Sequence, residues 1–516
     1  MPSLDQNFAL ASPRLTPPPR FLVGPLIWTL AVGLFVALFA QGFVRMGVGA
    51  WAVGLVYILY DTVLVAFVLA KTRPLSKPLP EREGQGVGIA TGDQFQRPSL
   101  YSALPTPTSF PSRPGRGDLT TTAIIAAYNE APVIVATVDA LRRQVPPPDH
   151  IIIADDGSDD DTATILQATY GLTAPPLGSL SPRSPVAPSL RWLRMPRGGK
   201  AVTLNHALGL IDTDLVITVD ADTLLEPGAL AAMRTAFDNE PELAAATGVL
   251  HPLCGKSISG RLFQWFQTYE YVRNFLSRYA WMETNSLLLI SGAFAGFRRD
   301  ALIRIGGFDP DSLVEDYEVM HRLHRVSRDN GLGWTVRVIG AAQASTDSPG
   351  SLMPFLRQRR RWFAGFLQTQ YWNRDMIGNA RYGALGTAML PVKALDTVQP
   401  LYGLAAFGLL AYFIATGNFR IAVPVIIAMA AKVLIDLGWL LWSLRLYRQW
   451  TGQRIGAGGA LLAALVEPFT FQLLRHAGAA WGWFVFLTGR QVWGVSARRS
   501  ISTRTDSIHD RSVDTG

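Results

Sequence analysis

The stretch "TTAIIAAYNEAPVIVATVDALRRQ" (residues 121–144) decides the fold. Its first half is an unbroken apolar run of strand length that closes on Tyr128, Asn129 and Glu130, whereas its second half spaces apolar residues with a helical period and ends in Arg142 and Arg143. "TTAIIAAY" therefore predicts a strand buried on both faces, and "APVIVATVDALRRQ" a helix packed on it. The couplet recurs downstream: strand "HIIIADDGS" (150–158) with helix "DDTATILQATYG" (160–171), strand "LRWLRM" (190–195) with helix "KAVTLNHALGLI" (200–211), then strand "LVITVDAD" (215–222). Strands separated by helices imply right-handed crossovers, so a doubly wound α/β domain on a parallel sheet is expected. Ligands of such sheets bind beyond the carboxyl ends of the strands. Those ends here carry Asn129 and Glu130, Asp155 and Asp156, and Asp220 and Asp222.

A single acidic residue after a strand commonly caps the next helix, and Ser158 or Asp159 suits that role. Three acidic strand ends on one edge are different, because they repel one another unless a cation sits among them. The "DAD" at 220–222 supplies two hard oxygen ligands with few others nearby, which suits Mg²⁺ or Mn²⁺ shared with substrate phosphates. A nucleoside diphosphate is thereby implied, with the other carboxylates free to accept hydrogen bonds from base or ribose. Neither GxGxxG nor GxxxxGK[ST] follows the first strand, which argues against NAD and P-loop chemistry. "RGGK" (197–200) makes Lys200 either a phosphate contact or the solvated start of a helix. In "GGFDPDSLVEDYEVMHRLHR" (306–325), Glu315 and Asp316 stand where a helical period begins and read, by themselves, as first-turn acids.

Around this domain the composition changes. The 516 residues are 49% hydrophobic and only 17% charged, too apolar for an ordinary soluble enzyme. The net charge of +8 then points to an anionic membrane surface in preference to nucleic acid. Residues 21–40 and 48–70 read as two spans of a hairpin, the first too long for a signal peptide. Lys71, Arg73 and Lys77, with Arg14 and Arg20, place both ends of that hairpin and the following domain in the cytoplasm. Residues 388–415 and 421–442 read as two further spans, followed by Arg445, Arg448 and Arg454. Lys432 and Asp436 lie four apart inside the second, as an ion pair on one helix face. Residues 456–489 are apolar but interrupted, and fit either a broken span pair or an interfacial helix. Cys254 is the one cysteine, so no intramolecular disulfide or cysteine-cluster metal site can form, and a buried thiol is expected. The organisation expected is a hairpin over 1–71, a Pro/Gly-rich linker over 72–118, the α/β domain over 119–350, an interfacial segment over 351–397, membrane helices over 398–489 and a basic tail over 490–516.

"YNE" (128–130), "DDGS" (155–158), "DAD" (220–222), "VED" (314–316) and "QRRRW" (358–362), in this order and flanked by membrane helices, resemble the membrane-bound inverting glycosyltransferases of family 2. Cellulose, hyaluronan, chitin-oligosaccharide and poly-N-acetylglucosamine synthases share the set, and the resemblance covers roughly residues 119–420. It implies a GT-A-type, Rossmann-like cytoplasmic domain between transmembrane helices, a UDP-sugar donor and Mg²⁺ or Mn²⁺. By the same resemblance Asp155 and Asp156 match the uridine-binding motif, Asp220 and Asp222 the metal and diphosphate motif, and Asp316 the catalytic base with Glu315 beside it. Asn129, Glu130 and Lys200 join the donor site. Gln358, Arg361 and Trp362 match QxxRW, in which Arg361 would fork onto the diphosphate and Trp362 stack on a sugar ring. Gly292 resembles the glycine at the sugar pocket, though a plain tight turn explains it equally. Arg357, Arg359 and Arg360 are expected to face lipid headgroups or solvent, and the aromatic 260–282 to form an interfacial helix.

Three departures stand out: a Pro/Ser-rich insertion at 172–188, no asparagine in "RGGK", and fewer membrane helices than cellulose synthase. A multi-pass cell-membrane synthase is expected, adding hexosyl or N-acetylhexosaminyl units to a growing β-linked glycan and exporting the chain. A non-processive enzyme making a glycolipid on a lipid acceptor is the alternative, and a non-catalytic membrane protein keeping only the fold a third.

Overall fold

The computed structural model describes residues 3–19, 21–44, 48–73, 119–417, 419–451 and 456–489. The tail at 490–516 and nearly all of the linker at 72–118 lie outside these residues.

Helices α1 (Leu4–Ala11), α2 (Val23–Val44) and α3 (Val48–Thr72) precede the sheet domain. The first strand, β1 (Thr121–Ala127), is buried at all but one position, as its unbroken apolar run requires of a strand covered on both faces. It pairs in parallel with β2 (His150–Asp155) on one side and β5 (Leu215–Asp220) on the other. Register does the functional work here: Ala127 lies opposite Asp155, and Ala126 opposite Asp220. The acids named from sequence therefore end neighbouring strands at one edge. The crossovers are α4 (Ile134–Arg142), α5 (Thr162–Tyr170) and α6 (Lys200–Gly209), with the two-residue β3 (Ser179–Leu180) and β4 (Leu190–Arg194) beyond β2. The insertion at 172–188 thus contributes an edge strand, antiparallel to β4.

The all-parallel expectation fails beyond β5. The sheet has nine strands in the order β3-β4-β2-β1-β5-β8-β7-β9-β6, where β6 is Thr223–Leu225, β7 Leu243–Leu253, β8 Phe294–Arg298 and β9 Thr335–Asp347. β8 runs antiparallel to both β5 and β7, and β6 antiparallel to β9. The α/β expectation holds, but on a mixed sheet: β8 inserts between β5 and β7 in the reverse direction, while β7 pairs in parallel with β9. The arrangement serves the site. Antiparallel pairing of Val219 with Phe294 carries Ser291 to Ala293 against Asp220, whose N–H donates to the Ala293 carbonyl (3.2 Å). Pairing of Thr223 with Thr346 sets Asp347 beside Asp222.

The domain is completed by α7 (Ala229–Asn239), α8 (Ile258–Met282), α9 (Arg299–Arg304), α10 (Glu315–Asp329) and α11 (Leu352–Trp372). α12 (Leu390–Ala415), α13 (Phe419–Thr451), α14 (Ala457–Val466) and α15 (Phe471–Thr488) follow. Residues 456–489 form two helices, broken at Glu467–Phe469 by a 3-10 turn containing Pro468. α2 packs on α12 and α3 on α13, so helices from the two ends of the chain form one bundle. Lys432 pairs with Asp436 (2.5 Å), as its spacing implies, and also with Asp61 of α3 (2.9 Å). Among the described residues one helical stretch, Leu385–Ala415, is long and apolar enough to cross a membrane, while Val23–Ala37 and Gly458–Phe469 are shorter apolar helices.

Candidate active site

A cavity of about 1960 Å³ opens at the carboxyl ends of β1, β2 and β5 and runs between α8 and α11 into the helix bundle, reaching Asp61, Asp396 and Lys432. Asn129, Glu130, Asp156, Lys200, Asp220, Asp222, Gly292, Glu315, Asp316, Gln358, Arg361 and Trp362 all line it. Asp155 does not. Its carboxylate is buried, accepting from the Ser158 N–H (2.8 Å) and the Trp192 Nε1–H (3.3 Å), so it braces the floor of the site. Ser158 and Asp159 are drawn off from capping as well: both bond Asn129, clasping the loops after β1 and β2 together. Asp160 instead accepts from the N–H of Thr162 at the start of α5.

Asp156 anchors the "RGGK" loop. One oxygen accepts from Gly198 N–H (2.8 Å), Gly199 N–H (2.9 Å) and the Thr203 hydroxyl (3.0 Å), and the other pairs with Arg197. The Arg197 guanidinium lies over Tyr128, 3.4 Å from the ring centroid. Neither Tyr128 nor Arg197 stood out in the sequence as a site residue, because a stacked pair from two distant loops leaves no local signature. At the loop's end Lys200, the first residue of α6, turns inward and bridges Asp220 (2.7 Å) and Glu315 (2.9 Å). Burial opposes its charge, but the two carboxylates outweigh burial and raise the Lys200 ammonium well above its ordinary range.

Glu315 and Asp316 open α10, where the helix dipole favours negative charge. Asp316 accepts from the Gly292 N–H (2.9 Å) and from the Tyr317 N–H (2.9 Å). Burial pushes its carboxyl above the usual aspartate range, and the charge of Glu315 adds to this. Burial works against Glu315 too, yet Lys200 and Arg361 hold it below its ordinary value. The two adjacent acids are thus shifted in opposite directions. A Cβ at Gly292 would stand 3.1 Å from the Asp316 carboxylate and 3.3 Å from the Lys200 ammonium, so a larger residue here would press on both groups. Gly292→Ala is expected to lower turnover about tenfold with the fold intact, checked by steady-state kinetics beside a melting curve.

In QxxRW, Arg361 donates to the Leu313 carbonyl (3.0 Å), steadying the chain just before Glu315. The Gln358 side-chain oxygen is buried without a hydrogen-bond partner among the described residues, on the cavity wall. Arg359 corrects the expectation of three outward arginines. It is buried, pairs with Glu270 of α8 (2.8 Å) and lies against Trp362, 4.4 Å from the ring centroid. Arg360 covers Trp481 of α15, and Arg357 alone is exposed. Arg278 of α8, another residue not singled out from sequence, reaches the cavity with a buried Nε that lacks a partner, and burial lowers its guanidinium to about 10.

Among the described residues no group of three or more His, Cys, Asp or Glu side chains could hold a metal by themselves. Asp220 and Asp222 nevertheless fit a hard divalent cation that draws its other ligands from diphosphate and water: both line the cavity, and the turn between them is fixed by the Asp347 N–H on the Asp222 carbonyl (3.1 Å).

An α/β sheet with acidic strand ends facing a lysine, an acid pair and a basic aromatic helix is the setting in which the sequence comparisons fall. The family model described as "Glycosyl transferase family 2" matches residues 122–306, and "Glycosyl transferase family group 2" matches 215–436. Together the two models span residues 122–436, and across that region the chain is similar to family 2 glycosyltransferases. It is similar to the poly-beta-1,6-N-acetyl-D-glucosamine synthase of Staphylococcus aureus strain COL, 30% identical over 169 residues, which is 32% of this chain and 38% of that protein. The synthase of the same name from Staphylococcus epidermidis is 26% identical over 222 residues, 43% of this chain and 50% of that one. The match therefore spans half or less of these relatives' length. Among solved structures, the mannosyltransferase PcManGT from Pyrobaculum calidifontis in complex with GDP-Man and Mn²⁺ aligns with 86% of this chain and 99% of its own, at 20% identity and a TM-score of 0.46.

Proposed function

We propose that this protein is a membrane-embedded polysaccharide synthase with a GT-A-type catalytic domain, moving a hexosyl or N-acetylhexosaminyl unit from a UDP-sugar to a growing β-linked glycan with inversion. The observation that carries the reading is the convergence of Asp156, Lys200, Asp220, Asp222, Asp316 and Trp362 on one cavity that continues into the helix bundle. Tyr128 with the Arg197 guanidinium on its face, and Asp156 paired to that arginine, give a flat polar patch on the cavity wall suited to a nucleobase. Asp220 and Asp222 would hold Mg²⁺ or Mn²⁺, which neutralises the departing diphosphate when bound. Lys200 and Arg361 place fixed positive charge beside the same region.

Asp316 takes the proton from the acceptor hydroxyl as that oxygen attacks the anomeric carbon, and one displacement inverts it. Trp362 offers the acceptor sugar an aromatic face, backed by Arg359. Beyond it the cavity is lined by Lys393, Asp396, Asp61 and Lys432, a polar path for a polyhydroxyl chain leaving through the bundle. Membrane insertion of several helices, with the sheet domain on the cytoplasmic side of the cell membrane, accords with exposed apolar residues such as Leu30, Leu434 and Leu487, each more than 60% exposed. Nucleic acid has no place in this scheme.

The test is UDP release by the protein in lipid with Mg²⁺ or Mn²⁺ across UDP-glucose, UDP-N-acetylglucosamine, UDP-glucuronate and UDP-galactose, with labelled product sized on a gel. Long product from one donor is the expected outcome, whereas short lipid-linked product would replace the polymer reading with a glycolipid enzyme. Activity also depends on pH through the acid pair. Asp316 works only when unprotonated, so turnover falls as pH drops through its raised pKa. Glu315→Gln removes a repelling charge and moves that acid limb to lower pH, while Lys200→Gln removes an attracting one and moves it up, each by about one pH unit. Shifts of equal sign in the two profiles would remove Asp316 from the assignment.

A further inference from the structure

Residues 3–19 dock on the far side of the segment that carries the acid pair. α1 opens with a complete capping box, Ser3 accepting from the Gln6 N–H (3.2 Å) and Gln6 from the Ser3 N–H (3.0 Å). Asn7 donates to the Ile303 carbonyl at the end of α9 (3.0 Å), and Phe8 lies under the Arg322 guanidinium, 4.8 Å from the ring centroid. Gly306, at φ +81°, lets the backbones meet: a Cβ there would stand 2.2 Å from the Phe8 main chain. Past α1, Arg14 forks between Asp309 (3.0 Å) and Asp311 (2.7 Å), with its guanidinium facing Trp372 of α11. The Asp309 side chain is fully buried, and it also accepts from the Asp311 N–H (2.9 Å).

Both acids belong to residues 305–314, which link α9 to α10 and end at Glu315 and Asp316. That link is held from within the sheet domain by Arg322, on the Ile305 (2.5 Å) and Gly307 (2.7 Å) carbonyls, and from α11 by Gln368 and Arg361. Arg14 adds a third hold on it, from a strap segment that precedes α2 in the chain. The geometry points to Arg14 as a positioning residue: the strap fixes the 305–314 link, and through it the carboxylate of Asp316, while tying the catalytic loop to the helix bundle. This rests on the reading of Asp316 as base. Its physical basis is that a catalytic group displaced by about 1 Å can lose about a hundredfold in rate, while a donor site on other strands is untouched.

Four proteins test it: Arg14→Gln, Arg14→Lys, the charge swap Arg14→Asp with Asp311→Arg, and Asp316→Asn. In Arg14→Gln, hydrogen exchange across 305–316 is expected to quicken while strands β1, β2 and β5 keep their protection. Turnover of the donor found in the screen drops about tenfold with donor KM unchanged. Arg14→Lys and the charge swap recover much of the loss. Unchanged exchange over 305–316, unchanged turnover, or a fall in turnover, donor affinity and melting temperature together in every Arg14 variant would overturn the strap. The two claims separate cleanly: full activity of Asp316→Asn removes the base assignment, and the exchange experiment, which needs no substrate, still decides whether Arg14 orders the link.

Discussion

The Asp316→Asn variant is expected to release UDP about a thousandfold more slowly than the wild type while binding UDP equally well. The amide keeps the size of the side chain and an oxygen to accept from the Gly292 N–H, so the turn at 291–293 stays in place. What it loses is proton affinity. General-base assistance contributes about a hundredfold to ten-thousandfold, and no other carboxylate is as well placed, since Glu315 is already held by Lys200. Equilibrium binding of UDP beside single-turnover rates gives the answer, and an unchanged rate would end the claim that Asp316 takes the proton.

Arg359→Ala should cost about 3–5 kcal/mol of stability, whereas Arg357→Ala two residues earlier should change stability by about 0.5 kcal/mol or less. Arg359 is 4% exposed and its partner Glu270 2%. Removing the arginine leaves a buried carboxylate whose remaining cation, Arg475, is 3.5 Å away. The cation also spans Phe355 and Trp362, at 4.7 and 4.4 Å from the ring centroids, so its removal hollows the support of the proposed sugar platform. Thermal melting in lipid or detergent compares the two variants, and similar curves would show that burial of this pair matters little.

Arg359 also shows where sequence reading stops. In "QRRRW" a tract of arginines looks like one solvated face, but a helix distributes consecutive residues around its axis, so Arg357 and Arg359 part company. The available clue was remote: Glu270, a lone acid amid the aromatic stretch 260–282, is the sort of group that needs a buried cation. The donor half was far more legible. β1, β2 and β5 are short apolar runs, and parallel register alone carries their terminal acids to one edge. Their roles were not equally legible, since both acids of "DDGS" end strand β2 or follow it while only Asp156 faces the cavity. The antiparallel strands β7 and β8 escaped for another reason. "LAAATGVLHPL" and "FAGFR" are rich in alanine and glycine, and their pairing is decided by partners far along the chain. α1 has a readable capping box, yet eight residues make a marginal helix until Ile303, Gly306 and Asp309 supply tertiary contacts.

The pairing of Asp61 with Lys432 sets a timetable for biosynthesis. Asp61 is made about 370 residues before its cation, so at ~5–20 residues per second it waits roughly 20–70 s. In the membrane reading, an acid of α3 reaches the bilayer before its partner Lys432 exists, and an intramembrane carboxylate is costly until it is paired. The nascent hairpin is then a provisional structure, sealed only when α13 arrives. A ribosome that stops early would leave an unpaired acid within the bilayer, a mark by which quality control could tell an unfinished chain from a finished one.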